Sequence, residues 1–298
     1  RALPCLSGAG AAEPAHIAPG AAPGHRAARK VARARIGTLA VPLSTHFALL
    51  GPTPAMDLLA EAQRDAFMAH HAGAPGLPVL VAVAPFRAGG RAGPGAYVDL
   101  SAGPVSHGRT EALYPFANTL VALRVTGADL RAWLEHAASG YARLRAGAPA
   151  AMLTRAEVPA YEIDAIAGLD YGIDLARQAE RITGLAHAGR PVAEDDAFIL
   201  LTNSYRAGGG GGYPLPAGAP APGVPAAPVR TLLERHIGAH SPVSPAPLLT
   251  WRLTAPPGTR ALFETGPGAE GHDPPRGAPE MAPAPGAPEG WRRYALRF

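Results

Sequence analysis

The 298-residue chain has one cysteine, Cys5, so no internal disulfide can hold it together. A protein of this length can bury enough apolar surface to fold without one. Charge is sparse too: charged residues make up 17% of the chain, and a net balance of +4 comes from arginines that are scattered rather than gathered in a stripe. That distribution argues against a nucleic-acid partner and suits a small anionic ligand. No apolar run approaches the roughly 20 residues needed to cross a bilayer, so no membrane partner is expected. The opening "RALPCLSGAG" lacks an initiator methionine. Nor does it show a charged start followed by an apolar core and a small-residue cleavage site, the pattern of a signal peptide. The expectation is a fragment or incomplete gene product whose true N-terminus lies elsewhere.

Motifs that would name a chemistry outright are missing as well. The run Gly208, Gly209, Gly210, Gly211 and Gly212 is followed by Tyr213-Pro214. It therefore lacks both the Gly-Lys-Ser/Thr of a Walker loop and the helix-opening third glycine of a dinucleotide fingerprint. Ser204 has no Gly-x-Ser-x-Gly elbow around it. The 11 histidines are dispersed. His70 and His71 are adjacent on a helix and point about 100° apart, which argues against a metal pair. His136 rides a helix beside Glu135, and His16, His25, His240 and His272 fall in segments without periodicity. Asp164, Asp170 and Asp174 read as solvated acids near strand ends, with cation binding as the alternative.

Glycine and proline, by contrast, are plentiful at 36 and 34 residues, which demands long stretches without regular structure. Residues 1–30 read as a disordered tail or linker, 31–260 as a mixed α+β domain, and 261–298 as a Pro/Gly-rich extension ending in a strand. Within that extension, 266–289 is expected to be disordered. In the central part, "MDLLAEAQRDAFMAHH" spaces Leu58, Leu59, Ala62 and Ala66 as an amphipathic helix. "LPVLVAVAPF" is a buried strand that runs into the loop "RAGGRAGPG". "NTLVALRV" puts Val121, Leu123 and Val125 on one face of a strand. Thr126 and Asp129 then form a capping box for a helix buried through Leu130, Trp133, Leu134 and Ala137. "RITGLAHAGRPV" reads as a hairpin, "DDAFILLT" as a strand, and "VRTLLERHIG" as a helix stopping at Gly238.

Three stretches combine aromatic, polar and glycine residues where strands meet loops. "TNSYRAGGGGGYP" sets Tyr205, a stacking surface, and Arg206, a donor, beside backbone that a ligand can approach closely. A flexible surface loop is the alternative reading. "LYPFANTLVAL" places Phe116 and Asn118 before a strand, giving a π-face and an amide suited to a heterocyclic base; taken alone, Phe116 also reads as core. "APFRAGGRAG" flanks a glycine pair with Arg87 and Arg91, which suits phosphate or ribose contacts, or simply solvates a loop.

The order of "AQRDAF", "LPVLVAVAPFRAGGRAGPGAYVDL", "LYPFANTLVALRVTGADLRAWLEHAA", "TNSYRAGGGGGYP" and "LLTWRLTAPPGTRALFETGPGA" resembles the C-terminal portion of the bacterial 2',3'-cyclic-nucleotide 2'-phosphodiesterase/3'-nucleotidases, within the 5'-nucleotidase superfamily. The resemblance runs from about Ile36 to the C-terminus. It implies a 5'-nucleotidase C-terminal-domain-like α+β fold with mixed sheets, flanking helices and Pro/Gly-rich tails. By that resemblance Phe116 and Tyr205 clamp a nucleoside base, Asn118 contacts its edge and Arg91 meets phosphate or ribose, with Arg87 and Arg206 as further candidates. The resemblance also implies periplasmic or cell-surface work alongside an N-terminal metallophosphatase domain. That domain's Asp-x-His, Gly-Asn-His-Asp/Glu and Gly-His-x-His motifs are not found in this chain, so no cofactor is expected here and the divalent metal pair belongs to the missing domain. Whether the chain is itself an enzyme stays open. The alternatives are a stand-alone nucleotide-binding module and a decayed gene product. The all-glycine run also lacks the aspartate with which many relatives hold ribose.

Overall fold

Continuous apolar runs make central strands, because a strand covered on both faces needs no polar alternation. Val79–Val83 and Ala197–Asn203 are two such runs, and they pair in parallel, Leu80 against Leu200. The computed structural model describes residues 18–71, 76–216 and 223–298. In it these two strands form the centre of a four-stranded mixed sheet. Leu120–Thr126 pairs antiparallel with Ala197–Asn203 on one side, and Ala165–Ala167 pairs antiparallel with Val79–Val83 on the other. The architecture is α+β: two further four-stranded sheets and two two-stranded ones surround this sheet.

The helices follow their sequence signals. Pro54–His70 buries Leu58, Leu59 and Ala62 against the sheet and the helix Val229–Ala239. Gly127–Ala138 starts at the expected capping box, with Thr126 N–H donating to Asp129 Oδ2 at 2.8 Å and Asp129 N–H donating to Thr126 Oγ1 at 3.2 Å. Its far end is closed from outside the helix. Buried Arg181 donates to the carbonyls of Ala138, Tyr141 and Ala142 at 2.6, 2.8 and 3.0 Å, satisfying acceptors that a helix terminus leaves open. Ile182–His187 turns back on Arg190–Pro191 as the expected hairpin.

The strand Leu120–Thr126 carries Val121, Leu123 and Val125 on one face, as the spacing predicts, and also buries Leu120 and Ala122 on the other. The structure corrects three readings. The helix Val229–Ala239 runs one residue past Gly238. Part of the N-terminal tail is helical, over Ala18–Arg33, where the run "HRAARKVAR" supplies strong helix formers; residues 1–17 lie outside the described residues. Finally, there is no boundary at 260 and no disorder across 266–289. Arg260–Thr265 pairs with Ala151–Met152 and with Arg292–Arg297, and Glu280–Ala284 adds an outer strand. Ala261, Phe263 and Leu296 are buried in the common core. Pro283 is tolerated because it sits on an edge strand.

Candidate functional site

Strand direction decides what meets at the end of the central sheet. Val79–Val83 and Ala197–Asn203 both finish at one end, and their antiparallel neighbours Leu120–Thr126 and Ala165–Ala167 both begin there, with Asn203 opposite Leu120 and Val83 opposite Ala165. Residues just after the first pair and just before the second therefore converge. A cleft of about 280 Å³ opens at this end, lined by Phe86, Phe116, Asn118, Tyr161, Asn203, Tyr205 and Arg206. Phe116 and Tyr205 remain 45% and 47% exposed, which is unusual for large aromatic side chains in a protein with so few. Phe86 braces Phe116 edge-on at 5.4 Å and packs on buried Tyr114 at 4.7 Å. The Asn118 carbonyl accepts the Val229 N–H at 2.9 Å, which fixes its backbone while the side chain lines the cleft.

The glycine run has a steric reason at one position above all. A Cβ on Gly210 would stand 2.5 Å from the Tyr205 ring, so the ring rests directly on bare backbone. Gly209 and Gly211 have φ of 84° and 75°, conformations that side chains disfavour. The loop is also tied down. Arg206 forms a buried ion pair with Asp164 at 2.9 Å and donates to the carbonyls of Gly210, at 3.0 Å, and Tyr161. Trp133 Nε1 donates to Asp164 at 3.1 Å, the Tyr213 ring lies 4.2 Å under the guanidinium, and His136 bonds the Gly211 carbonyl at 2.8 Å. Burial opposes the arginine's charge, but the Asp164 carboxylate outweighs it and holds the Arg206 pKa above its ordinary value.

These contacts change the reading of two residues. Asp164 is 6% exposed and ion-paired rather than a solvated acid, because the strand end that carries it is roofed by the glycine loop. Arg206, 2% exposed, has most of its donors committed to protein acceptors; it borders the cleft as the anchor of Tyr205's loop. Arg87 and Arg91 are exposed on the neighbouring loop and do not line the cleft. Asp170 is exposed, and Asp174 bonds Arg177 at 3.0 Å.

Phe86, Tyr161 and Asn203 line the cleft without having been singled out in the sequence. Asn203 carried a readable signal: an asparagine closing a strand before a short helix, where its Oδ1 caps the Arg206 N–H at 3.0 Å. Tyr161 carried none, since its segment has no periodicity. Two further clusters bring metal-ligating groups together away from the cleft lining: His46, Asp99 and His272, and Asp65, His236 and His240. His240 and His272, expected in irregular segments, cap a helix and a 3-10 turn.

Comparison with known proteins places the chain in a family. The 5'-nucleotidase, C-terminal domain family model matches residues 35–218. The chain is 31% identical over 276 residues to a 2',3'-cyclic-nucleotide 2'-phosphodiesterase/3'-nucleotidase of Salmonella typhimurium, covering 82% of this chain and 42% of that protein. It is 27% identical over 258 residues to the trifunctional nucleotide phosphoesterase protein YfkN of Bacillus subtilis, covering 81% of this chain and 18% of that protein. The chain thus spans less than half the length of these relatives. Among solved structures, a putative 5'-nucleotidase from Staphylococcus aureus aligns with a TM-score of 0.63 at 18% identity, over 76% of this chain and 42% of that one. The NAD nucleotidase of Haemophilus influenzae aligns with a TM-score of 0.56 at 16% identity, over 78% and 40% of the two chains. Matched by the family model over residues 35–218, the chain belongs to the 5'-nucleotidase C-terminal domain family.

Proposed function

We propose that this domain binds nucleosides and nucleotides by holding the base between the rings of Phe116 and Tyr205, with the Asn118 amide at the base edge. The observation that carries the reading is that two exposed aromatic side chains, brought from different strand ends, line one cleft large enough for a heterocycle. A cleft lined by Phe86, Phe116 and Tyr205 gives stacking energy to any flat base, while one amide provides discrimination. With Arg206 held by Asp164, phosphate and ribose contacts fall to the exposed Arg87 and Arg91.

In this reading the chain is the specificity half of a phosphoesterase acting on 2',3'-cyclic nucleotides and 3'-nucleotides in the periplasm or at the cell surface. A metallophosphatase domain activates the attacking water, and the domain described here presents the substrate. Among the described residues, no helix is long and apolar enough to cross a membrane.

Titration with adenosine or 3'-AMP, followed by tyrosine and tryptophan fluorescence, tests the proposal: a stacked base quenches, and Tyr205→Ala removes about 1 to 3 kcal/mol of binding. Failure to respond to any nucleoside rejects the stacking site. Metal-dependent phosphatase activity from the pure chain rejects the division of labour.

A further inference from the structure

Away from the cleft, three ligating side chains from distant parts of the chain converge. His46 follows the short strand Leu43–Ser44, Asp99 lies opposite Ser44 on the paired strand, and His272 ends the 3-10 turn Pro267–Gly271. One ligand atom from each lies within 4.8 Å of the other two. His46 Nε2 is 3.7 Å from Asp99 Oδ2, and His272 Nε2 is 3.0 Å from Asp99 Oδ1.

Hydrogen bonding fixes the tautomer of His46. The Thr265 hydroxyl donates its one proton to the His46 carbonyl at 2.9 Å, so toward the imidazole it can only accept. The ring nitrogen that faces it, Nδ1 at 3.2 Å, therefore carries the proton. In the neutral imidazole the Nε2 lone pair then lies beside the oxygens of a carboxylate, two kinds of donor that a cation can share. A histidine whose far nitrogen is held by an oxygen is how metal-ligating imidazoles are oriented. The space is kept clear as well. A Cβ on Gly268 would stand 2.6 Å from Asp99 Oδ2 and 2.8 Å from His46 Nε2.

We propose that His46 Nε2, the Asp99 carboxylate and His272 Nε2 bind one divalent transition-metal ion of the Zn²⁺ class. Two imidazoles and one carboxylate form a donor set for such ions rather than for Ca²⁺ or Mg²⁺, which take oxygen ligands. Tetrahedral bonds of about 2.0 to 2.2 Å place ligand atoms about 3.3 to 3.6 Å apart, between the two separations seen here. The half-exposed Asp99 side chain leaves the remaining position open to water.

The ion's role follows from what its ligands hold. Tyr97 stacks on His46 at 4.4 Å and bridges to Ala88, and the Thr45 hydroxyl donates to the Arg87 carbonyl while accepting the Val98 N–H at 2.9 Å. The site clamps the C-terminal segment onto the base of the loop that carries Arg87 and Arg91.

The test is calorimetric titration of the chelator-treated full chain with Zn²⁺, with Co²⁺ absorption reporting coordination. One equivalent is expected to bind and to raise Tm. Asp99→Asn, a near-isosteric change at a half-exposed side chain, weakens binding by about 100-fold or more, beyond what losing an outer-shell partner costs. Gly268→Val does the same while keeping all three ligands, and His240→Ala has no effect. Absence of stoichiometric binding overturns the proposal. So does binding that survives Asp99→Asn but is lost with His240→Ala, which moves the site to Asp65, His236 and His240.

Discussion

Replacing Gly210 by alanine separates a shaped loop from a merely flexible one. The added methyl meets three atoms of the Tyr205 ring at 2.5, 2.5 and 2.6 Å. Carbon atoms settle at about 3.5 to 4.0 Å, so the ring has to move by about 1 Å or more. Tyr205 is half exposed and free to swing, and Gly210 has no positive φ to strain, so the expected stability cost is under about 1 kcal/mol. The ring nevertheless leaves the face it presents to the cleft. Nucleoside affinity should fall by an amount approaching the loss from Tyr205→Ala, about 1 to 3 kcal/mol or roughly 5- to 150-fold. Gly209→Ala is the converse control. Its φ of 84° makes alanine strained, but no atom lies within 4 Å of the new methyl. It should cost about 1 to 2 kcal/mol of stability and leave affinity unchanged. Denaturant unfolding and fluorescence titration on the two variants read both quantities. Wild-type affinity in Gly210→Ala would refute the claim that bare backbone positions the ring.

Three further outcomes follow from buried groups. Asp164→Ala strands the Arg206 guanidinium in the interior and is expected to cost about 3 to 5 kcal/mol in urea unfolding; a cost below about 1 kcal/mol would show that the pair does not anchor the loop. Burial pushes the Asp57 carboxyl up to about 6 from 3.8, even though it accepts N–H bonds from Leu248 and Leu249 at 3.0 and 2.9 Å. Because the folded pKa is the higher one, its contribution to stability is full below about pH 4 and is lost as pH rises through about 6. Asp57→Asn should therefore stabilise the protein at pH 7 by up to about 3 kcal/mol and flatten its pH profile between 4 and 6; an unchanged profile counts against this. Truncation after residue 260 removes Phe263 and Tyr294, whose rings lie 6.4 and 5.6 Å from the buried Phe47. The shortened chain is expected to be insoluble or protease-sensitive, and a stable, soluble 1–260 product would restore the boundary that composition suggested.

Local pattern alone settled those elements whose signal lies within a few residues. The Thr126–Asp129 capping box, the apolar spacing of Gly127–Ala138 and the valine-rich run Val79–Val83 needed no knowledge of their partners. It also marked Phe116, Asn118, Tyr205 and the glycines as chemistry-bearing, because an aromatic beside an amide or bare backbone stands out in a chain with few aromatics. Tertiary structure alone decided what each of these faces. Arg206 and Arg87 look alike in sequence, yet one is buried against Asp164 and the other is exposed, since only the fold brings residue 164 beneath the glycine loop. The Pro/Gly-rich C-terminal stretch looked unstructured because strand pairing, as between Glu280–Ala284 and Arg292–Arg297, is made by backbone groups, which every residue but proline carries in full and which no side-chain pattern announces. His46, Asp99 and His272 gave no local sign at all, because contacts between distant residues are set by topology, which no short window of residues records.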